Sequence, residues 1–167
     1  MKIKRTMKNK VIALLSEVKR DGIENLINFV NESTYLTTAR CYQHHKTAGG
    51  LMNHSLEVLD VMLKSNKGRF SRESLILVAL CHDLGKARLN GFDAGSGGHP
   101  QRAITILDKC GVALTTEERE AILNHHPKGV AAKLAAVSRP LQRLLHWGDM
   151  VSTGVNKRGD KYVYGVL

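Results

Sequence analysis

The sequence has little of what marks several classes of protein. Its three cysteines include no C-x-x-C pair, so neither a disulfide framework nor a thiolate zinc site is indicated. Its longest apolar run, Leu75–Cys81, has seven residues, against the roughly 18 to 20 needed to span a bilayer. The apolar stretch after the basic N-terminus ends at Leu15, too short for a signal-peptide core. We therefore expect a cytoplasmic protein with reduced thiols and no membrane segment.

Aromatic and acidic side chains are also scarce. Aromatics make up 5% of the residues, which gives little support for a platform that stacks single-stranded bases. There are 15 Asp and Glu against 25 Lys and Arg, a net charge of +10, and no acidic residue lies in 33–56 or 121–148. Such a field attracts phosphate-bearing partners, whether nucleotides, nucleic acid or anionic membrane surfaces.

The sequence is rich in helical periodicity. With 167 residues, 43% of them hydrophobic, the chain can form one domain with a real core. Apolar residues recur at helical spacing in 11–18 and 23–30, on either side of Asp21-Gly22, which predicts a helical pair. Residues 51–64 have the same spacing, and only 162–167 resemble a strand. The pattern predicts an all-α, single-domain helical bundle.

Capping residues place the other predicted helices. Ser71 is expected to begin a buried helix through Leu84, which Gly85 would end in a left-handed conformation. After a glycine-rich loop over 91–98, further helices are predicted from Pro100 to Gly111, from the Thr115/Glu118 capping box to about His126, and from Pro140 to Asp149. We predict that residues 1–32 are a helical pair packed on a core of 33–155, with 156–167 as a tail, all in one domain.

Eight histidines and their positions give the strongest functional signal. His82-Asp83 ends the most apolar helix, where a buried carboxylate needs a cation or strong hydrogen-bond donors. The pair alone is weak evidence, but histidines and an aspartate also lie on other predicted helices: His54, His125-His126 and Asp149. Helical bundles build metal sites from such side chains, and imidazole with carboxylate suits manganese, iron, cobalt, nickel or zinc better than calcium.

The ordered set resembles the HD superfamily of metal-dependent phosphohydrolases. The resemblance runs from residue 45 to 153 and includes the phrases N-H-S-L-E-V around His54 and C-H-D-L-G-K around His82-Asp83. It implies an all-helical bundle with a central site for one or two divalent ions. The first ion would be held by His54, His82, Asp83 and Asp149. The second would be held by His99, His125 and the bridging Asp83, with His126 as a further candidate.

Some of these assignments stay open at this stage. His99 follows two glycines and is also consistent with an ordinary loop residue. The sequence does not decide which of His125 and His126 is a ligand and which contacts substrate. Glu57 could orient a ligand or form a surface ion pair, and His146 is expected to be a core histidine rather than to form a hydrogen bond near the metal.

The resemblance also implies how catalysis would proceed. A bound transition metal lowers the pKa of its water from 15.7 toward about 7, which would allow attack on phosphorus. Asp83 and Lys86 are the predicted catalytic residues, with Lys86 binding the phosphate; its alternative role is to complement a helix dipole at the surface. Further predicted substrate contacts are Lys128, His45 and Arg40.

Four functions fit this pattern. We expect a phosphohydrolase acting on nucleoside mono- or triphosphates, deoxy forms included. The alternative is a 3′ to 5′ exonuclease or another nucleic-acid or cyclic-nucleotide phosphodiesterase. A di-iron oxygenase and a noncatalytic metal-stabilised module rank below these. Members of the superfamily often dimerise, so a homo-oligomer is a further expectation.

Overall fold

The computed structural model describes residues 2–38, 48–126 and 139–153. Within these ranges the chain forms helices and no strand, which confirms the all-α prediction. The described ranges hold seven α-helices: α1 (Lys2–Glu17), α2 (Ile23–Glu32), α3 (Gly50–Ser65), α4 (Arg72–Cys81), α5 (His99–Lys109), α6 (Thr116–Leu123) and α7 (Pro140–Ser152). Two short 3₁₀ turns cover Thr34–Leu36 and Leu84–Lys86.

Helix α4 lies at the centre of the bundle. Every residue of Leu75–Cys81 is buried, because α4 is covered on all sides rather than along one stripe. Helix α3 packs against both α4 and α7, and α1 contacts both α3 and α4. The last residues of α4 therefore lead into the middle of the molecule.

Most predicted helix ends are confirmed, and each has a local cause. The Ser71 hydroxyl accepts a hydrogen bond from the Ser74 amide, and Thr115 and Glu118 form a complete capping box. Pro100 lies in the first turn of α5, and Gly111 has the positive φ of +76° that ends the segment. Helix α6 ends at Leu123, however, and not near residue 126 as predicted.

The prediction for Gly85 is wrong. Helix α4 ends at Cys81, and Gly85 lies in the following 3₁₀ turn without a left-handed backbone. Glycine is needed there for another reason, since a Cβ at this position would come 2.0 Å from the carbonyl oxygen of His99. The absent side chain allows α5 to begin directly against the turn that follows Asp83.

The predicted division of the chain into 1–32, 33–155 and 156–167 stays a prediction. The tail and the strand-like stretch 162–167 lie outside the described residues. Cys81 and Cys110 are free and buried. Across the residues that the structure describes, no helix is both long and apolar enough to cross a membrane.

Candidate metal centre

The helices bring all seven predicted ligand residues into one region of the interior. Three of them lie on helices: His54 on α3, His99 at the start of α5 and Asp149 on α7. The others follow helix ends, with His82-Asp83 after α4 and His125-His126 after α6. Five of the seven are at most 1% exposed: His54, His82, Asp83, His125 and Asp149. Because α5 begins at His99, this residue belongs to the helix and not to the preceding loop.

One group of ligand atoms is formed by His54, His82 and Asp149, within 4.8 Å of one another. The Nε2 atom of His54 lies 3.2 Å from Nε2 of His82 and 3.1 Å from Oδ1 of Asp149. Gly148 allows α7 to lie close to α3, since a Cβ at this position would come within 3.2 Å of the Val58 carbonyl oxygen. The close packing of the two helices brings Asp149 to His54.

A second group consists of Asp83, His99, His125 and His126, again within 4.8 Å. The Nε2 atom of His99 lies 3.2 Å from Oδ1 of Asp83 and 3.3 Å from Nε2 of His125. Both members of the histidine pair thus reach this group.

Asp83 lies between the two groups. Its Oδ1 faces the second group, whereas its Oδ2 is 3.5 Å from Nε2 of His82 and 3.8 Å from Nε2 of His54. A carboxylate that presents one oxygen to each of two sets of imidazoles has the arrangement expected of a bridging ligand.

The buried imidazoles direct the same nitrogen toward the centre. Nδ1 of His82 lies 2.8 Å from the Ala79 carbonyl oxygen, and Nδ1 of His125 lies 2.6 Å from that of Ile122. A carbonyl oxygen only accepts hydrogen bonds, so Nδ1 carries the hydrogen in both rings. In a neutral ring, Nε2 then holds a lone pair that points at the other ligands.

His54 is oriented in a related way through a serine. Its Nδ1 lies 2.8 Å from the Ser152 hydroxyl, which donates its own hydrogen to the Asp149 carbonyl. The Ser152 oxygen therefore accepts from Nδ1 of His54, and Nε2 again holds a lone pair.

These lone pairs provide a test of whether a metal fits. With Nε2 unprotonated in His54 and His82, their separation of 3.2 Å places two nitrogen lone pairs against each other. A cation bound by both removes the repulsion, whereas an empty centre leaves it. Neutral imidazoles with carboxylates are a donor set that transition metals prefer, so the residues fit a divalent ion of this kind.

The pKa values of the ligands favour metal-binding forms at neutral pH. Burial lowers the pKa of His82 to about 3 and those of His99 and His126 to about 4. Burial raises the pKa of the Asp83 carboxyl, but nearby imidazoles and the Lys86 ammonium outweigh it and hold that pKa well below its ordinary value. The imidazoles of His82, His99 and His126 are thus neutral and Asp83 is ionised, as metal ligation requires.

His125 and His126 differ in their surroundings. His125 is fully buried, and its Nε2 lies 3.7 Å from Oδ1 of Asp83. The His126 side chain is 37% exposed, and its Nδ1 lies 3.5 Å from Oδ2 of Asp149. The structure therefore places His125 inside the centre and His126 at its solvent side.

Lys86 reaches the centre as well. Its Nζ lies 2.5 Å from Oδ2 of Asp83, and its side chain is 20% exposed. This placement favours the predicted role at the site over a surface role at a helix end. The other predicted substrate contacts, Arg40, His45 and Lys128, lie outside the described residues.

Two residues of α7 support the histidine pair in a way that the sequence did not reveal. Nε2 of Gln142 donates to the Asn124 carbonyl at 2.7 Å, and Nδ1 of His146 lies 2.9 Å from the His125 carbonyl. Their spacing of four residues places both on one face of α7 and was the available signal. His146 is therefore near the metal ligands and holds their backbone. Glu57 accepts a hydrogen bond from Asn53 on its own helix.

The fold and the site define an all-α protein with a buried centre of histidines and aspartates that can hold divalent metal. A family model described as HD domain matches residues 51–154, more than half of the chain. The chain belongs to the HD-domain family, and this membership indicates a metal-dependent hydrolase. No curated protein and no solved structure matches it.

Proposed function

We propose that this protein is a metal-dependent phosphohydrolase that acts on nucleotides in the cytoplasm. The observation that carries the proposal is the position of Asp83, with one oxygen toward each ligand group and a lysine ammonium 2.5 Å from Oδ2. A centre that combines ligands for divalent metal with a flexible lysine side chain is suited to a substrate with concentrated negative charge.

The proposed cofactor is one or two divalent transition ions, with manganese as the ion for a first test. His54, His82 and Asp149 would hold one ion and His99, His125 and His126 the other, with Asp83 shared. When bound, such an ion makes water nucleophilic near neutral pH and withdraws charge from phosphoryl oxygens.

The partly exposed side chains support an entry side for the substrate. Lys86, His99 and His126 have exposed fractions of 20%, 24% and 37%, whereas the remaining five proposed ligands are buried. A phosphate arriving on this side meets the Lys86 ammonium, which would move from Asp83 to the phosphate oxygens and orient them. With one ring nitrogen of His126 on the ion, the other would carry the hydrogen and could donate a hydrogen bond at the leaving group.

The nucleotide assignment is supported by charge. The net charge of +10 and the absence of acidic residues in 33–56 and 121–148 favour a substrate with several negative charges. Arg40, His45 and Lys128, which lie in these two stretches, remain the proposed contacts for the rest of the substrate.

The test is a substrate panel. Purified protein loaded with manganese is incubated with nucleoside mono-, di- and triphosphates and cyclic nucleotides, in ribo and deoxy forms. We expect hydrolysis of at least one class, detected as released phosphate, pyrophosphate or nucleoside or, for the cyclic forms, as nucleoside monophosphate, and loss of that hydrolysis with EDTA. If metal-loaded protein hydrolyses none of them, the proposal is wrong.

The net charge also favours a second candidate, a 3′ to 5′ exonuclease or related phosphodiesterase. A polymer substrate releases many counterions on binding, so activity on it should fall steeply between about 50 and 200 mM salt. Hydrolysis of a free nucleotide should change little over that range. The salt dependence of the rate therefore separates the two candidates.

A further inference from the structure

We propose that Arg102 is a positioning residue that holds His99 against Asp83 and thereby sets the metal affinity of the second ligand group. The inference rests on the metal centre of the proposed function. Arg102 forms no hydrogen bond with a side chain of the described candidate ligands; its acceptors are backbone carbonyl oxygens.

Arg102 joins three segments around the second group. It lies on α5, one turn after His99. Its Nε donates to the Gly85 carbonyl at 3.0 Å and its Nη1 to the Gly97 carbonyl at 2.6 Å. One guanidinium thus ties α5 both to the turn after Asp83 and to the loop before His99. We call this pair of hydrogen bonds the Arg102 bridge.

The bridge operates where two backbones are in unusually close contact. A Cβ at Gly85 would lie 2.0 Å from the His99 carbonyl oxygen and 2.8 Å from the Ala103 amide nitrogen. The first turn of α5 therefore lies directly on the turn that carries Asp83 and Lys86. Small shifts of α5 along this contact change the distance from His99 to Asp83.

His99 depends on this backbone placement more than the other histidines do. The Nδ1 atoms of His54, His82 and His125 each have a hydrogen-bond partner that fixes the ring. Among the residues that the structure describes, none accepts a hydrogen bond from Nδ1 of His99. The position of its Nε2, 3.2 Å from Oδ1 of Asp83, is thus set by where α5 begins.

The Arg102 bridge acts by geometry and not by charge alone. Both of its acceptors are neutral carbonyl oxygens on different segments, and only a forked side chain spans them. A lysine at this position keeps the charge but presents a single ammonium. Arg102→Lys should therefore behave like Arg102→Gln, which loses both charge and fork.

Manganese binding to the whole chain tests the inference without any use of turnover. Equilibrium dialysis gives the number and affinity of bound ions, and electron paramagnetic resonance detects the coupling between two neighbouring Mn²⁺ ions. We expect two ions in the wild type. In Arg102→Gln and Arg102→Lys, the tighter ion should remain, and the weaker one should bind about tenfold to 100-fold less tightly, the usual effect of removing a group that supports a ligand. The signal of the coupled pair should disappear at matched metal concentration.

Two further variants complete the experiment. Arg119→Gln is the matched control, because Arg119 also makes a forked interaction, with Asp108 at the opposite end of α5 from His99; it should bind metal like the wild type. His99→Ala should weaken binding of the same ion that the Arg102 variants weaken, and by at least as much. If Arg102→Gln does not fold, Arg102→Lys carries the test.

Unchanged binding in both Arg102 variants, equal weakening of both ions, or full recovery in Arg102→Lys would overturn the inference. A wild type that binds one ion would also overturn it, while hydrolysis by that one-ion protein would leave the proposed function standing. Two ions and the Arg102 effect, without hydrolysis of any nucleotide, would support the inference and refute the proposed function.

Discussion

The two oxygens of Asp83 face different neighbours, and this division organises the centre residue by residue. Oδ1 lies 3.2 Å from Nε2 of His99, while Oδ2 lies 2.5 Å from Nζ of Lys86. Burying such a carboxylate is costly unless cations or donors surround it. Lys86 supplies an ammonium group on a flexible side chain, and the imidazoles complete a set of ligands for a metal ion.

Replacing Lys86 separates its role from metal binding. In Lys86→Met, kcat/KM should fall by about 10²- to 10³-fold, because a preorganised charge at the phosphate is lost. The number of bound metal ions should not change, since Lys86 is not a ligand. Steady-state kinetics and metal analysis of the same preparation measure both quantities.

Lys64→Met is the matched control, because Lys64 lies on the surface of α3 and pairs only with the exposed Asp60 among its described contacts. It should keep wild-type kinetics. A Lys86 variant with wild-type kcat/KM would assign the phosphate contact to another residue.

At this scale the sequence predicted which ligand candidates meet, but not what holds them in place. Imidazoles and carboxylates stand out in a sequence because their chemistry is rare in a core. The supporting contacts of His146, Gln142 and Arg102 end on backbone carbonyls, which every residue has. No sequence pattern identifies the carbonyl that a distant side chain will reach.

Helix ends are the elements that build the site. His82-Asp83 and His125-His126 follow the ends of α4 and α6, and His99 begins α5. Side chains at helix ends can converge on one point while the helices diverge. Contacts that fix those ends should therefore affect the stability of the bundle as well as its site.

Glu118 is the clearest of these contacts and gives a prediction for stability. Glu118 is 1% exposed and accepts a hydrogen bond from the Thr115 amide in the capping box. Its two carboxylate oxygens also accept hydrogen bonds from Nη1 and Nη2 of Arg20, at 2.6 and 2.8 Å. Glu118→Gln should lower the free energy of unfolding by roughly 1.5 to 3 kcal/mol, the usual contribution of a hydrogen bond to a charged group. Urea unfolding measures the difference.

Glu17→Gln is the comparison, because Glu17 forms an exposed pair with Arg72 and should change stability little. Equal effects of the two substitutions would contradict the importance given to burial.

The Glu118 contact also has a predicted pH dependence. Burial raises the pKa of Glu118, but the hydrogen bonds from Arg20, Ser74 and Thr115 and the charge of Arg20 outweigh this effect. The net pKa is therefore lower than the ordinary value of 4.5. Below pH 4.5 the unfolded chain takes up this proton before the folded one does, so the contribution of Glu118 is complete above pH 4.5 and is lost as the pH falls. In metal-free protein, the stability difference between wild type and Glu118→Gln should shrink from pH 6 to pH 3. A constant difference would contradict the assignment.

The sequence predicted the elements well where the signal is local. The T-x-x-E pattern gave the capping box of α6, and Pro100 and Gly111 gave the ends of the α5 segment. The partner of Glu118, Arg20, lies 98 residues away and has no local signal. Gly85 was assigned a left-handed turn because glycine usually ends helices, whereas a close approach by α5 is the actual requirement.

The helical bundle gathers imidazole lone pairs and carboxylate charge at its centre, away from solvent. Lone pairs of His54 and His82 face each other at 3.2 Å inside a packed core, and ionised Asp83 lies beside them. Such a core is stable only to the degree that cations compensate it. Metal binding and folding should therefore be coupled.

Removal of metal should lower the melting temperature of the protein. At a metal concentration 100 times the Kd, binding to the folded state adds about 2.7 kcal/mol, which corresponds to roughly 5 to 10 °C for a domain of this size. Differential scanning calorimetry with EDTA and with manganese measures the shift. Identical melting curves would show that no ion binds the folded chain.

The measurement that tests the central claim most directly is the metal content of the wild type beside that of Asp83→Asn, after loading and exhaustive dialysis. The substitution keeps the shape of the side chain and removes the charge shared by both ligand groups. We predict two ions per wild-type chain and a loss of both from a folded Asp83→Asn variant. A wild type that holds no ion, or a variant that holds as many as the wild type, would contradict the account.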